Sequence, residues 1–448
     1  MSKHLLNAEQ LAIELFNRLE LTKSTDFYLA LSGGQDSCVL LDLMCKLAQS
    51  QSISLTLLHF DHGLQAQSAL WAKHCEELAA RYDVPIVVKR QTVQVDPKKG
   101  LEASARTARY AWFADVINEK SATKHLAGDI RDEGAAVLLT AHHANDQAET
   151  LLINLMRGTG VSGLRGIARK KNYGNYTVVR PLLDFDQQQI TDYAQEMGLH
   201  WIEDPSNQEE KFRRNAIRKN VLPTLNSIKS DAVQQFVKSA DHMVATERLL
   251  ADLAILDLQT VQQHPYCPLD QSYGINLQDI QTLGKTVGTQ RQANALRYWL
   301  QQNGYSLNSQ QNLQQLIEWS NHGTGEKSEL RNGDRVYRTY RNNLFVMPLL
   351  TPTFLAEMVW QNLSEPLTIN LHDSDCEIRC TNSEKAQQHS NVQVLFAEQA
   401  RRHFSLKKRF QTAAIPHWRR DITPILVSQG EVIGIVGSAR DVWLILEG

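Results

Sequence analysis

Two rhythms of apolar spacing organise the first half of the chain. Short apolar runs at 27–31, 53–58, 84–88 and 135–141 read as strands, and segments with a helical repeat of apolar positions lie between them. Residues 8–20 place Leu11, Leu15 and Leu19 on one stripe, and the segment after residue 34 does the same with Val39, Leu40, Leu43 and Leu47. Further helices are predicted near 66–82, 101–119 and 186–197, and through the apolar residues 151–156. Strands alternating with helices at these intervals predict an α/β fold with a doubly wound parallel sheet, Rossmann-like in outline. In such a sheet the ligand lies at the carboxyl ends of the strands, so polar residues there carry the chemistry.

Beyond residue 220 the pattern changes. From 225 to 320 the chain reads as helical and glutamine-rich, with helices near 231–258, 289–303 and 308–320. Residues 326–347 read as a hairpin turning at Asn332-Gly333-Asp334, with a basic, aromatic second strand at 336–341. Pro348 and Pro352 mark a linker, and the remainder reads as a small α+β domain with a glycine-punctuated strand at 433–437. The domains expected are 1–220, 221–350 (mainly helical) and 355–448 (small α+β).

Composition narrows the class. In 448 residues, 42% are hydrophobic and 21% charged, which suits a globular protein, and no apolar run reaches membrane-spanning length. A cytoplasmic protein is expected. The 47 basic residues are balanced by 49 acidic ones, so a nucleic-acid footprint must be local. The six cysteines are scattered and include no C-x-x-C pair, which argues for spare thiols over a metal or redox centre; Cys376 and Cys380 lack a second pair nearby.

The loop Ser32-Gly33-Gly34-Gln35-Asp36-Ser37 joins the first strand to a helix. Paired glycines allow close backbone approach, and a helix start offers unpaired N–H groups to an anion. Asp36 would repel phosphates unless a cation such as Mg2+ lay between, so the loop implies a nucleotide with magnesium. The alternative is a glycine turn with a capped helix.

Other strand ends are equally polar. Asp61 and His62 close the second strand, as a turn or as site residues. Glu102, Arg106 and Arg109 share a helical face, as a surface ion pair or a grip on phosphate. In 141–150, seven of ten side chains hydrogen-bond or ionise, more than helix capping requires. There His142, His143 and Asp146 lack a third spaced ligand for zinc, while Asp146 could share magnesium with Asp36. The segment 157–166 has four glycines and leads into Arg165, Arg169, Lys170 and Lys171, and Arg214 and Arg218 share a later helical face. Between 401 and 420 lie seven cations and no acid, interleaved with Phe404, Phe410 and Trp418, which reads as a basic surface with stacking platforms for structured RNA.

The loop S-G-G-x-D-S lacks a Walker lysine and resembles the pyrophosphate loop (PP-loop) of the adenylating ATP-pyrophosphatases. D-H-G-L ending at Leu64, E-x-x-x-R-x-x-R-Y from Glu102, H-H-x-x-D-Q-x-E-T from His142, R-G-x-G-x-x-G-L from Arg157, W-x-x-D-P-S-N from Trp201 and R-N-x-x-R from Arg214 together resemble the tRNA(Ile)-lysidine synthase family. Gln65 and Asn145 depart from it, since many relatives carry Arg and an acid there. The resemblance implies that ATP adenylates C2 of the first anticodon cytidine of a CAU-bearing tRNA(Ile). The ε-amine of L-lysine then displaces AMP, and codon reading moves from AUG to AUA. It implies catalytic roles for Asp36, Asp61, His62, Arg109, His142 and Asp146, with Asp146 or His142 as base. Ser32, Gly33, Gly34, Gln35, Asp36 and Ser37 would hold ATP, and Asp36 and Asp146 would hold Mg2+. Arg165, Arg214, Arg218, Lys407, Lys408, Trp418 and Arg420 would contact tRNA, and a homodimer without membrane attachment is expected. The alternatives are a PP-loop tRNA thiolase, which usually needs a C-x-x-C pair, a small-molecule ligase, which leaves the basic tail unexplained, and an RNA-binding protein with a vestigial ATP site.

Overall fold

The structure is a computed structural model that describes residues 6–22, 25–51, 53–63, 68–93, 100–126, 136–203, 213–305, 307, 310–323, 328–349, 357–371, 374–437 and 444–447. Leu64, Gln65, residues 204–207 of the W-x-x-D-P-S-N motif and Pro352 lie outside this set, as does the side chain of Glu102. The chain forms two compact units, Met1–Glu247 and Arg248–Gly448.

The first unit contains α1 (Ala8–Ala12), β1 (Asp26–Ala30), α2 (Gln35–Ser50), β2 (Ser54–Asp61), α3 (Ser68–Tyr82), β3 (Ile86–Arg90), α4 (Leu101–Leu126) and β4 (Ala136–Leu139). It continues with α5 (Ala144–Met156), α6 (Val161–Leu164), β5 (Lys170–Tyr173), β6 (Tyr176–Val179), α7 (Gln187–Glu196), α8 (Arg213–Ala216), α9 (Leu222–Ile228) and the long α10 (Ala232–Leu258), within which the division falls. Its sheet has the order β3-β2-β1-β4-β6-β5, parallel except for the β5 edge.

Alternation along β1 explains the two layers of helices. Phe27 and Leu29 point to one face, where they pack with Leu11, Leu40, Leu43 and Ile190. Tyr28 points to the other, with Leu58, Trp112, Phe113 and Leu138. Both faces are therefore covered, as a parallel sheet requires. Leu29 is fully buried, and truncating it to Ala would cost roughly 2–5 kcal/mol. The strand order reverses between β1 and β4, so the loops after these strands open the crevice where doubly wound sheets bind ligands.

The second unit departs from the all-helical expectation for 225–320. It holds β7 (Gln263–Cys267), β8 (Ser272–Asn276), α11 (Leu277–Val287), α12 (Thr289–Gln302), α13 (Gln310–His322), β9 (Glu329–Asn332), β10 (Arg335–Tyr340) and β11 (Asn343–Pro348). The strands form an antiparallel sheet, β7-β8-β11-β10-β9, against which Leu296, Trp299 and Leu316 pack. The β9–β10 hairpin is the one read from the sequence. It gains a third strand because Arg341 and Asn342 take φ of 47° and 60°, the left-handed pair that a two-residue hairpin turn needs. The β7–β8 pair escaped prediction because β8 is stabilised by β11, beyond three intervening helices.

The remaining elements are β12 (Met358–Asn362), β13 (Leu367–Leu371), β14 (Ser374–Cys380), α14 (Ser383–Gln388), β15 (Ser390–Leu395), α15 (Ala397–Ala400), α16 (Leu406–Thr412), β16 (Ile425–Ser428), β17 (Glu431–Ile435) and β18 (Leu444–Glu447). They build two antiparallel sheets, β12-β15-β16-β17 and β13-β14-β18. The predicted α+β character is met, with β17 as the glycine-containing strand.

Candidate active site

The phosphate-type loop follows β1 directly. Gly33 has φ +82°, and a Cβ there would sit 3.2 Å from Cys75 Sγ, so glycine is needed for both conformation and space. The Ser32 and Ser37 hydroxyls lie 3.0 Å apart, and Ser37 Oγ donates to Gly34 O at 2.9 Å, which braces the turn. Gly34 caps α2 without a side-chain acceptor, so the first N–H groups of this helix face the crevice unclaimed by a cap. The Ile202 N–H donates to Gly33 O at 2.9 Å and fixes the 201–203 segment beside the loop.

Across the strand-order reversal, the loop after β4 delivers a second acid. His143 is the N-cap of α5: its Nδ1 accepts from Asn145 N–H at 3.3 Å, and its own N–H donates to Asp146 Oδ2 at 3.1 Å. With Nδ1 accepting, the neutral ring carries its proton on Nε2. That atom lies 3.7 Å from Asp36 Oδ2 and 3.5 Å from Asp146 Oδ2. The two acids expected to share a cation therefore have a buried histidine between them, a residue that sequence reasoning set aside in favour of His142. The pairing of a cap with an acid three residues on was a legible signal for it.

Burial works against charge on Asp146, but His143, His142, the His143 N–H and Arg218 hold its carboxyl below the usual range. His142 is different. Burial, against the attraction of Asp146 and helped by Arg180, Arg106 and Arg214, pulls its ring down to about 4, while its Nδ1 meets Thr140 Oγ1 at 2.9 Å. It is neutral at physiological pH and a weak base. Glu149, fully buried one turn beyond Asp146, is raised by burial in spite of Arg218.

Arg218 makes a forked pair with Glu149 at 2.7 and 3.2 Å and reaches Asp146 Oδ1 at 3.5 Å. Arg214 contacts Glu149 at 3.3 Å and Thr150 Oγ1 at 3.1 Å. Both cations, expected on an RNA-facing surface, thus compensate a buried acid at the site.

Beside the loop opens a cavity of about 710 Å³, lined among others by Gln35, Asp36, Asp61, His62, Trp71, Arg109, Gln187, Trp201 and Arg218. Asp61, at the end of β2, accepts from Gly63 N–H at 2.9 Å, and His59 beneath it bonds Leu31 O at 2.8 Å. The volume suits a nucleotide-sized ligand. Trp71 and Gln187 were not singled out from the sequence, because only folding brings them here; Trp201 and Glu149 stood in quoted motifs without an assigned role. Among the described residues no three His, Cys, Asp or Glu side chains form a metal cage. Two carboxylates completed by substrate phosphates are the donor set Mg2+ ordinarily takes, so Asp36 and Asp146 fit that ion.

The other predicted contacts scatter. Arg165, at the end of α6, pairs with Glu247 at 2.5 Å. Lys407 and Lys408 are exposed on α16. Phe410, expected as a stacking platform, is buried with Leu406 and Ala413, because positions four and three apart on α16 face its core. Trp418 is partly buried, donating to Asp270 Oδ2 at 3.0 Å and meeting Phe345 edge-on at 5.8 Å. Arg420 bonds Ile415 O at 3.2 Å and lies over the Phe410 ring.

Family models match as a PP-loop domain over residues 6–225, a TilS substrate binding domain over 285–345 and a TilS substrate C-terminal domain over 392–440. A tRNA(Ile)-lysidine synthase of Serratia proteamaculans is 31% identical over 96% of this chain and 95% of its own. That of Pectobacterium atrosepticum is 32% identical over 91% and 89%. Among solved structures, the U34-tRNA thiolase NcsA from Methanococcus maripaludis overlaps 53% of this chain and 78% of its own, at 15% identity and a TM-score of 0.40, too remote to bear on function. On the near full-length identity to these synthases, the chain belongs to the tRNA(Ile)-lysidine synthase family of PP-loop enzymes.

Proposed function

We propose that this protein uses ATP to activate the C2 oxygen of the first anticodon cytidine of a CAU-bearing tRNA(Ile), and joins the ε-amine of L-lysine to that carbon. AMP moves to the oxygen as pyrophosphate leaves; the neutral amine then attacks C2, AMP departs carrying that oxygen, and the proton released passes to the departing phosphate or to water. The observation that carries this reading is the meeting of Asp36 and Asp146 at His143 Nε2, beside a phosphate-type loop.

Each group has a task in this scheme. The Ser32 and Ser37 hydroxyls and the N–H groups opening α2 hold the pyrophosphate, where preorganised donors count most. Asp36 and Asp146 would hold Mg2+, which when bound neutralises charge on the leaving group. Arg109, Trp71 and Trp201 line the cavity for nucleotide and target base, and an anticodon base, already single-stranded, can enter it. Asp146, held below the usual carboxylate range, suits a cation ligand better than a proton acceptor. His142, neutral above pH about 4, orients through Thr140. Lys407 and Lys408, exposed on α16, contact tRNA phosphates, whereas Trp418 contributes packing.

The test supplies ATP, Mg2+, radiolabelled lysine and either a CAU-bearing tRNA(Ile) transcript or one with its first anticodon base changed. Label retained in RNA, dependent on ATP and on that cytidine, is the expected result. Pyrophosphate release without lysine in RNA would redirect the reading to a thiolase or small-molecule ligase.

A further inference from the structure

Gln187 has no part in the scheme above, yet it stands where its elements meet. It is the first residue of α7, next to Asp186, whose carboxylate caps the helix by accepting from Gln189 N–H at 2.9 Å. Its side-chain Nε2 donates to Asp36 Oδ1 at 3.2 Å and to Gln35 Oε1 at 3.0 Å. Its backbone N–H donates to Asn145 Oδ1 at 3.0 Å, and the preceding Phe185 carbonyl accepts from Ala144 N–H at 2.8 Å. One residue thus grips the start of α2 with its side chain and the start of α5 with its backbone.

The chemistry of the amide matters. Asp36 is 37% exposed and can rotate unless held. A lysine or arginine holding it would neutralise the charge that a cation needs, whereas an amide fixes one oxygen and leaves the charge intact. With Oδ1 engaged by Gln187, Oδ2 is the oxygen that approaches His143 Nε2, at 3.7 Å. We infer that Gln187 is a positioning residue, which sets the orientation of the Asp36 carboxylate for cation binding and ties the phosphate loop to the Asp146 helix. This rests on the reading of Asp36 as a ligand for the nucleotide-bound cation.

The experiment measures binding of the α,β-methylene analogue of ATP by titration calorimetry, with and without Mg2+, so that no turnover is needed. Gln187→Met keeps length and the backbone bond to Asn145 but removes the donor. Affinity is expected to fall about tenfold with Mg2+, as for one hydrogen bond to a charged group, and to stay unchanged without it. In an Asp36→Ala background the same substitution is expected to have no effect. Gln187→Asn, too short by one methylene, serves as a second variant with the same expectation should the first fold poorly. Thr191→Val removes the links from Thr191 Oγ1 to Gln35 Oε1 and to the Gln187 carbonyl but leaves the Gln187 amide on Asp36; it is expected to match wild type and separates positioning of Asp36 from general packing. Wild-type affinity in both Gln187 variants, or a loss that is equal without Mg2+ or persists in the Asp36→Ala background, overturns the inference. Asp36→Ala leaving the metal dependence intact would remove the reading beneath it and the inference together.

Discussion

Asp270 in one unit and Asp36 in the other are both acids among aromatic and basic neighbours, yet their surroundings differ in kind. Asp270 is buried, with Oδ1 accepting from Ser272 Oγ at 2.7 Å and Oδ2 from Trp418 Nε1 at 3.0 Å and Arg419 Nε at 2.9 Å. Arg419 Nη2 closes the ring on Ser272 Oγ at 2.9 Å. Three directed donors, one of them a cation, meet that carboxylate, which is how a buried ion pair is made tolerable. Asp36 has the neutral Gln187 amide at 3.2 Å, a histidine at 3.7 Å and a cavity wall. A closed charge cluster serves the fold, whereas an acid held by a neutral amide, with Arg218 acting on it only through space, can serve a ligand.

Substitutions can break this contrast. The largest effect is expected at the open acid: Asp36→Ala should lower lysine incorporation about 10³-fold, roughly 4 kcal/mol in the barrier, with little change in the melting curve. A matching loss of stability would place Asp36 with Asp270 instead. Next, Arg419→Ala should destabilise the protein by about 3 kcal/mol by urea titration, since it leaves Asp270 buried without its cation. Activity per folded molecule should be retained.

A third outcome concerns pH. His142 is held near 4 in the folded protein against its ordinary value of 6.5, so the unfolded chain takes up the proton first as pH falls. Its contribution is flat above about pH 6.5, and stability is lost between there and about pH 4, on the order of 3 kcal/mol. Comparing urea midpoints of wild type and His142→Ala at pH 7 and pH 5 checks this: the variant should lose less on acidification. The smallest effect is expected for Lys407→Ala with Lys408→Ala, where tRNA binding should weaken up to about tenfold, and the salt dependence of the binding constant should flatten by about one to two in log–log slope. An unchanged slope would remove these lysines from the RNA contact.

Much of the site was legible in the chain order. The strand, the Ser32–Ser37 loop and helix α2 depend on contiguous residues, and the polar run after β4 announced itself by density alone. His143 was readable too, as a cap with an acid three residues on, although the sequence reading named His142 of the adjacent pair. Gln187 had no signal: it meets Asp36 across 151 positions of sequence. Phe410 looked like an interleaved aromatic in a basic run, although its four-residue spacing from Leu406 already marked a buried helical face.

The sequence by itself determined the doubly wound order of elements, the phosphate loop and the stock of acids at the strand ends, because periodicity and turn chemistry act over a few residues. Only the tertiary structure decided which charges remain available. Arg419 is engaged by Asp270 and Arg218 by Glu149, across 149 and 69 positions, while Asp36 keeps its charge for a ligand. Whether a buried charge is compensated depends on where packing sets its partner, and local sequence carries no record of that distance.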